Sequence, residues 1–258
     1  MHRLLQTGRD FLLDFLYPPR CGICGAGGDF LCQSCRRRLP VAAPPRCRRC
    51  WALTTRPVCG ACTRSPLDGA RAAFAFEAGA QTLVHELKYR SLSALAKPMG
   101  DLLTETLQTD PLPVDLIVPV PLHARRQRQR GFNQSELLAR AVAERASLEL
   151  DVRSLRRVRS TPQQTHADRE RRQENVRGAF RCAEQVDGRR VLLIDDVQTT
   201  GATLQECARS LRAAGATSVW ALTFCRADAA GDIPAQPAPA RQPEESERSW
   251  PLLRPNRR

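Results

Sequence analysis

Residues 191–203, VLLIDDVQTTGAT, constrain the fold more than any other part of this sequence. An apolar run predicts a buried strand over residues 191–194, and a polar turn then leads into a helix that begins near Ala202. Ligands of parallel α/β sheets bind at the carboxyl ends of strands, and a helix N-terminus offers free N–H groups to anions. The stretch therefore predicts an anion-binding loop in an α/β fold.

The side chains of this loop indicate a phosphorylated sugar. Asp195 and Asp196 repel phosphate, so they suit ribose hydroxyls or a divalent metal that bridges to pyrophosphate. A Thr-capped helix would explain one Asp and one Thr, but not two adjacent acids before TTGAT. The GxxxxGK[ST] and GxGxxG fingerprints are absent. Hydroxyl donors and a flexible backbone favour phosphate binding by Thr199, Thr200, Gly201, Ala202 and Thr203.

Composition divides the chain into four segments. Residues 1–20 predict a short amphipathic helix, and residues 21–68 are rich in Cys and Arg. Residues 69–227 predict a globular α/β domain, whereas residues 228–258 contain six prolines and few apolar residues, which predicts a disordered tail.

The α/β segment alternates predicted strands with predicted helices, which indicates a parallel sheet flanked by helices. Strands are predicted over residues 116–120, 191–194 and 218–224, and helices over residues 133–146 and 202–214.

Four CxxC pairs give the N-terminal segment eight thiolates, enough for two closed Cys₄ zinc sites of structural type. The pairs are Cys21/Cys24, Cys32/Cys35, Cys47/Cys50 and Cys59/Cys62. A segment this poor in apolar residues needs such a staple. Disulfides are disfavoured in a cytosolic chain. Sequential pairing of neighbouring CxxC units is favoured because it encloses short ribbons, while interleaved pairing and iron–sulfur ligation stay open.

The net charge of +13 is carried almost wholly by arginine, which favours polyanionic partners or reflects a solvated basic surface. Arginines cluster after the strand predicted at residues 116–120, where bidentate guanidinium groups suit pyrophosphate. No signal peptide and no apolar run of about 18 residues is visible, which predicts a cytoplasmic protein without membrane insertion.

Residues 191–203 resemble the phosphoribosyl pyrophosphate signature of type I phosphoribosyltransferases. The resemblance departs at Gln198, where that family usually has an aliphatic residue, so we expect altered packing under the loop. It implies that Asp195 and Asp196 hold the ribose 2′ and 3′ hydroxyls and that residues 199–203 cradle the 5′-phosphate.

Three sequence blocks resemble, in the same order, those of the ComF family of competence proteins, which includes GntX-like proteins. They are PVPLH with RGFNQ, then TPQQ with NVRGAF, and then the DDVQTTGAT loop. This resemblance covers about residues 10–226. It implies a type I phosphoribosyltransferase-like domain with an N-terminal double zinc ribbon. It assigns the pyrophosphate side to Arg126, Arg130, Asn133 and Gln134, and a closing lid within residues 160–175 to Gln164, Arg172 and Asn175.

Two functions are compatible with these features. The first is transfer of phosphoribosyl from phosphoribosyl pyrophosphate, with Mg²⁺, to an unknown acceptor under a hood formed by residues 73–102, in a role linked to DNA uptake. No residue is indicated as catalytic. The second is a non-catalytic competence factor that binds single-stranded DNA and uses the loop as a nucleotide sensor, although aromatic content is only 5%. A competence helicase or other uptake proteins are candidate partners.

Overall fold

The computed structural model describes residues 18–62, 65–89, 93–159 and 176–228. Most of the helix predicted over residues 1–20 lies outside the described residues, as does the predicted tail beyond Asp228. The predicted lid residues Gln164, Arg172 and Asn175 also lie outside them. Within the described ranges, no helix is long and apolar enough to cross a membrane.

A five-stranded parallel sheet forms the centre of the fold, with strand order β1-β7-β6-β2-β3. Its central strands are continuous apolar runs because both faces of the sheet are covered. A separate antiparallel ribbon pairs β4 with β5. The strands are β1 (Gly69–Ala75), β2 (Leu116–Pro119), β3 (Glu149–Leu150), β4 (Leu155–Arg157), β5 (Phe180–Cys182), β6 (Arg190–Gln198) and β7 (Ser218–Arg226).

Six α-helices are described, together with 3₁₀ turns at Gly60–Cys62 and Ser93–Leu95. They are α1 (Gln33–Arg37), α2 (Ala78–Tyr89), α3 (Ala96–Thr109), α4 (Ala124–Arg130), α5 (Gln134–Ala146) and α6 (Ala202–Ala213). Helices α2, α3 and α5 bury apolar residues against one face of the sheet, and α6 packs with the β4–β5 ribbon on the other. The prediction of a parallel sheet flanked by helices is confirmed.

Strand β6 is longer than the sequence predicts. The expected end was residue 194, but β6 continues to Gln198 because its last residues stay paired with β7, up to Gln198 opposite Arg226. Asp195 and Asp196 therefore lie within the strand, not after it. Their backbone is fixed by the sheet, and only the residues from Thr199 onward form the turn.

The cysteine-rich segment is connected to the outer edge of β1. The N–H of Ala42 donates to the carbonyl of Ala73 at 3.0 Å, and the N–H of Ala75 donates to the carbonyl of Pro40 at 2.8 Å. Strand β1 was not predicted, since its GARAAFA sequence has few residues with strong strand preference. Pairing with β7 on one side and with this segment on the other decides its conformation. The domain boundaries drawn from composition stay predictions.

Candidate functional site

Two carboxylates, the partly buried Asp195 and the buried Asp196, are adjacent on β6, and each has its own partners. Oδ1 of Asp195 accepts from the Ser135 hydroxyl at 2.7 Å and from the backbone N–H of Asp196 at 2.9 Å. Oδ1 of Asp196 accepts from Nε2 of Gln134 at 3.4 Å, and Oδ2 forms an ion pair with the Lys88 ammonium. The first turn of α5 and the end of α2 thus converge on the strand.

These partners separate the pKa values of the two acids. Burial, reinforced by the Asp196 charge, raises the pKa of Asp195 to about 7. Burial also acts to raise the pKa of Asp196, but the adjacent Lys88 ammonium outweighs it and the net pKa lies below the ordinary value. The same contact outweighs desolvation and raises the pKa of Lys88. Near neutral pH, Asp196 is ionised while Asp195 can hold or release a proton.

The turn after β6 places the N-terminus of helix α6 beside the same site. Gly201 has a positive φ of 77°, a conformation that residues with a Cβ rarely adopt, and it stands at the N-cap of α6. The N–H of Ala202 donates to Oγ1 of Thr200 at 3.3 Å, and Thr203 lines the adjoining cavity. We call residues 199–203 the phosphate loop. Its free N–H groups and the helix dipole favour an anion here.

A cavity of about 150 Å³ lies between the acids, Thr203 at the end of the phosphate loop and a basic wall. The wall carries four cationic side chains, Lys88, Arg126, Arg130 and Arg157, against the two carboxylates. The Arg130 guanidinium donates to Oε1 of Gln134 and lies 5.4 Å from the centre of the Tyr89 ring. Burial lowers the pKa of both Arg130 and Arg157, although guanidinium groups keep their charge. The excess of positive charge suits a ligand with several phosphate charges.

Not every predicted residue lines this cavity. Arg126, Arg130, Gln134, Asp195, Asp196 and Thr203 do. Asn133 is buried behind it, where Nδ2 donates to the Val120 carbonyl at 3.0 Å and Oδ1 accepts from the N–H of Ser135 at 3.1 Å. Asn133 therefore caps α5 and fixes the chain after β2. His123 has a similar task, since its Nδ1 accepts from the N–H of Arg125 at 3.3 Å at the start of α4.

Four lining residues were not singled out from the sequence. Lys88 and Tyr89 belong to the amphipathic helix expected in the hood, but nothing in their spacing pointed to the acids. Ser135 follows Gln134 and was passed over as an ordinary helix residue. Arg157 reaches the cavity from β4 and stood in the sequence as one arginine among many. Only the packing of α2, α5 and the β4–β5 ribbon brings these side chains together.

The eight cysteines of the CxxC pairs form two groups. Cys21, Cys24, Cys32 and Cys35 make the first cysteine cluster, and Cys47, Cys50, Cys59 and Cys62 make the second cysteine cluster. In each, the sulfur atoms lie within 4.8 Å of one another, and all eight thiols are free of disulfides. The grouping follows the sequential pairing favoured from the sequence. Four thiolates at this separation fit tetrahedral zinc, and these clusters support two structural zinc ions.

Comparison with known proteins agrees with both parts of this architecture. Residues 12–63 match the double zinc ribbon domain family, and residues 133–244 match the phosphoribosyl transferase domain family. Among solved structures, the glutamine phosphoribosylpyrophosphate amidotransferase from B. subtilis, complexed with ADP and GMP, is similar with 21% identity and a TM-score of 0.39. That likeness covers 54% of this chain and 30% of the amidotransferase chain.

Curated relatives have higher sequence identity to the chain. DNA utilization protein YhgH of Salmonella typhi is 34% identical over 206 residues, which is 76% of this chain and 90% of that protein. Competence protein F of Haemophilus influenzae is 38% identical over 117 residues, which is 42% of this chain and 49% of that protein. The chain therefore belongs to the ComF family, together with DNA utilization protein YhgH and competence protein F.

Proposed function

We propose that this protein binds phosphoribosyl pyrophosphate in the cavity and transfers its phosphoribosyl group to an acceptor that is still to be identified. One observation carries the proposal: two carboxylates, Thr203 in the first turn of α6 and four cationic side chains surround a single cavity. A ligand that satisfies all three must combine hydroxyls, a terminal phosphate and a further polyanion. Phosphoribosyl pyrophosphate has this combination.

In this proposal the parts of the ligand divide among the parts of the site. The 5′-phosphate binds at Thr199, Thr200, Gly201, Ala202 and Thr203, and the ribose hydroxyls bind Asp195 and Asp196. Arg126 and Arg130 neutralise the pyrophosphate, with Asn133 holding Gln134 in position. The lid assigned to Gln164, Arg172 and Asn175 stays a prediction from the sequence, since these residues lie outside the described ranges. Arg157, which shares the cavity, adds a further cation to the pyrophosphate side.

Magnesium fits this arrangement, since Mg²⁺ in proteins usually takes one or two carboxylates together with phosphate oxygens of the substrate. Asp195 and Asp196 are the carboxylates that would hold it. Bound Mg²⁺ would supply charge neutralisation to the leaving pyrophosphate. Lys88 must first release Asp196, because its ammonium occupies the carboxylate that the ligand needs.

The transfer step breaks the bond between ribose C1 and the pyrophosphate oxygen and forms a bond from C1 to the acceptor nucleophile. The electron pair of the broken bond leaves with pyrophosphate, and the acceptor gives up its proton to solvent. The arginines stabilise the leaving anion, while the carboxylates lie near the positive charge that develops on the sugar. The names of the relatives, DNA utilization protein and competence protein F, support a role in the uptake or use of DNA.

Calorimetric titration of the zinc-loaded chain with phosphoribosyl pyrophosphate and Mg²⁺ tests binding. The double variant Asp195→Asn/Asp196→Asn should lose at least about tenfold in affinity, since hydrogen bonds to charged groups contribute about 1.5–3 kcal/mol each. Asp29→Asn, an exposed change of the same kind, should bind normally. Wild-type affinity in the double variant would overturn the site. Pyrophosphate release in a screen of nucleobases and other nucleophiles then tests turnover.

Single-stranded DNA binding without turnover is the second candidate function. It is favoured by the arginines of α4, because Arg125 and Arg128 are exposed beside the cavity and offer phosphate contacts outside it. Affinity for a fluorescent single-stranded DNA should fall steeply with salt. A plot of log affinity against log salt concentration should have a negative slope of about 0.7 per phosphate contact. Replacing Arg125 and Arg128 by Gln should reduce that slope by about one or two; an unchanged slope would exclude α4 from the interface.

A further inference from the structure

Hydrogen bonds connect the phosphate loop to the second cysteine cluster. Nε2 of Gln198, the residue directly before the loop, donates to the carbonyl of Cys50 at 3.1 Å. Nη1 of Arg226, opposite Gln198 on β7, donates to the same carbonyl at 2.9 Å. Both donors are buried, with 2% and 4% of their surface exposed. One carbonyl next to a metal-ligating sulfur is thus held by the ends of the two central strands.

Gln198 is an unusual choice for this buried position. Its Oε1 has no hydrogen-bond partner within the described residues, which is unfavourable by about 1–3 kcal/mol. An aliphatic side chain would fill the space without that penalty. Turning the amide over would set Oε1 against the Cys50 carbonyl and lose the bond. The donor Nε2 is therefore the feature that distinguishes glutamine from an aliphatic residue here.

The same side chain supports the phosphate loop from below. A Cβ added to Gly201 would lie 3.2 Å from Nε2 of Gln198, so the amide packs directly under the N-cap of α6. The backbone of Gln198 is held too, since its carbonyl accepts from the N–H of Ala227 at 2.9 Å. A shift of the Cys50 carbonyl would therefore reach Gly201 through one side chain.

We propose that Gln198 is a positioning residue through which the metal-loaded second cysteine cluster holds the phosphate loop in its binding conformation. Four thiolates around one ion fix the Cys50 backbone, and Gln198 transmits that constraint to Gly201. Binding linkage is reciprocal, so a ligand in the loop must also stabilise the cluster. This second consequence rests on the proposed function, because it requires a 5′-phosphate to bind in the loop.

Gln198→Met tests the link because it keeps the length and volume of the side chain and removes the donor. Hydrogen exchange is measured by mass spectrometry on the zinc-loaded full chain, in peptides that cover residues 47–62 and 21–35. Without ligand, the variant should exchange roughly two- to tenfold faster in residues 47–62, the fold-change for one lost hydrogen bond. Residues 21–35 should not change, and neither region should change in the exposed control Gln185→Met.

Ribose 5-phosphate is the probe for the reciprocal effect. It should slow exchange of residues 47–62 in the wild-type chain and have no effect there in Gln198→Met. Equal ligand-free exchange of wild type and variant would overturn the link, and equal protection by the probe would overturn the coupling. If the wild-type chain binds no ribose 5-phosphate, the 5′-phosphate assignment to the loop fails, and the ligand-free comparison alone decides the link.

Discussion

The two cysteine clusters have the same ligand chemistry and different connections to the rest of the protein. The first packs on α2 and α3: Ile23 packs against the apolar core that these helices share, and Arg36 forms an ion pair with Glu105 of α3 at 2.6 Å. The second has hydrogen bonds from Gln198 and Arg226 to its Cys50 carbonyl. One cluster therefore supports the wall that carries Lys88, and the other supports the strand ends that carry the phosphate loop.

Two metal sites with the same ligands can therefore act on opposite sides of one cavity. The first cluster contacts the predicted hood through non-directional apolar packing and one half-exposed ion pair, so it stabilises these helices without fixing their geometry closely. Hydrogen bonds to one carbonyl set direction and distance, so the second cluster constrains the loop more tightly. Both clusters should contribute to stability, but only the second should strongly affect phosphate binding.

Loss of one zinc ligand from each cluster gives the largest expected effects. Structural zinc contributes about 10–16 kcal/mol in small metal-folded domains, so Cys50→Ser and Cys24→Ser should each lower the zinc content measured by mass spectrometry. Cys50→Ser should also weaken ribose 5-phosphate binding by about 5- to 150-fold, the usual range of coupling between sites. Cys24→Ser should leave that affinity within about threefold. Equal losses of affinity would remove the distinction between the clusters.

Lys88→Met tests the hood side of the comparison and should have an intermediate effect. The Lys88 side chain is 23% exposed and its partner Asp196 is 5% exposed. Breaking such a buried pair leaves an uncompensated carboxylate and should lower the free energy of unfolding by about 3–5 kcal/mol. Urea unfolding at pH 8 measures it. Lys97, the other lysine, is 81% exposed in a pair with Asp101, so Lys97→Met should change stability by less than about 0.5 kcal/mol. Similar values for both variants would contradict the buried ion pair.

Asp195→Asn tests the strand side and should have an effect of opposite sign on stability. The folded state keeps the Asp195 proton up to a pKa of about 7, whereas the unfolded chain releases it near 3.8. The folded state therefore binds more protons between these values, and this group destabilises the fold as pH rises through that range. Asp195→Asn removes this titration.

Melting curves from about pH 5 to pH 8 check the expectation. The Tm of Asp195→Asn should decline less with rising pH than the Tm of wild type. Above pH 7 it should exceed the wild-type Tm, by about 2–4 °C for each kcal/mol gained in the free energy of unfolding. Asp29→Asn, at an exposed position, should follow the wild-type curve. A parallel decline in Asp195→Asn and wild type would show that Asp195 does not titrate in this range.

Much of the architecture could be predicted from the sequence because the signals are local. Apolar runs predicted β2, β6 and β7, and helical spacing predicted α5 and α6. Regular CxxC pairs predicted both cysteine clusters, since two cysteines separated by two residues can bind the same metal ion without help from distant segments. The order of Asp195, Asp196 and the phosphate loop along one strand and one turn was likewise visible in consecutive residues.

What decided the rest is contact between distant segments. Lys88, Ser135 and Arg157 come from three separate elements, and no local pattern distinguishes them from other polar residues on helices or strands. Gln198 shows the same limit: the sequence marked it as a departure, but only the tertiary structure brings its amide to the Cys50 carbonyl. Local sequence was enough to predict the metal ligands and to suggest the proposed ligand class, because each depends on residues within one short segment. Tertiary structure alone decided which charges share the cavity and which cluster reaches the loop, because both depend on how helices and strands pack.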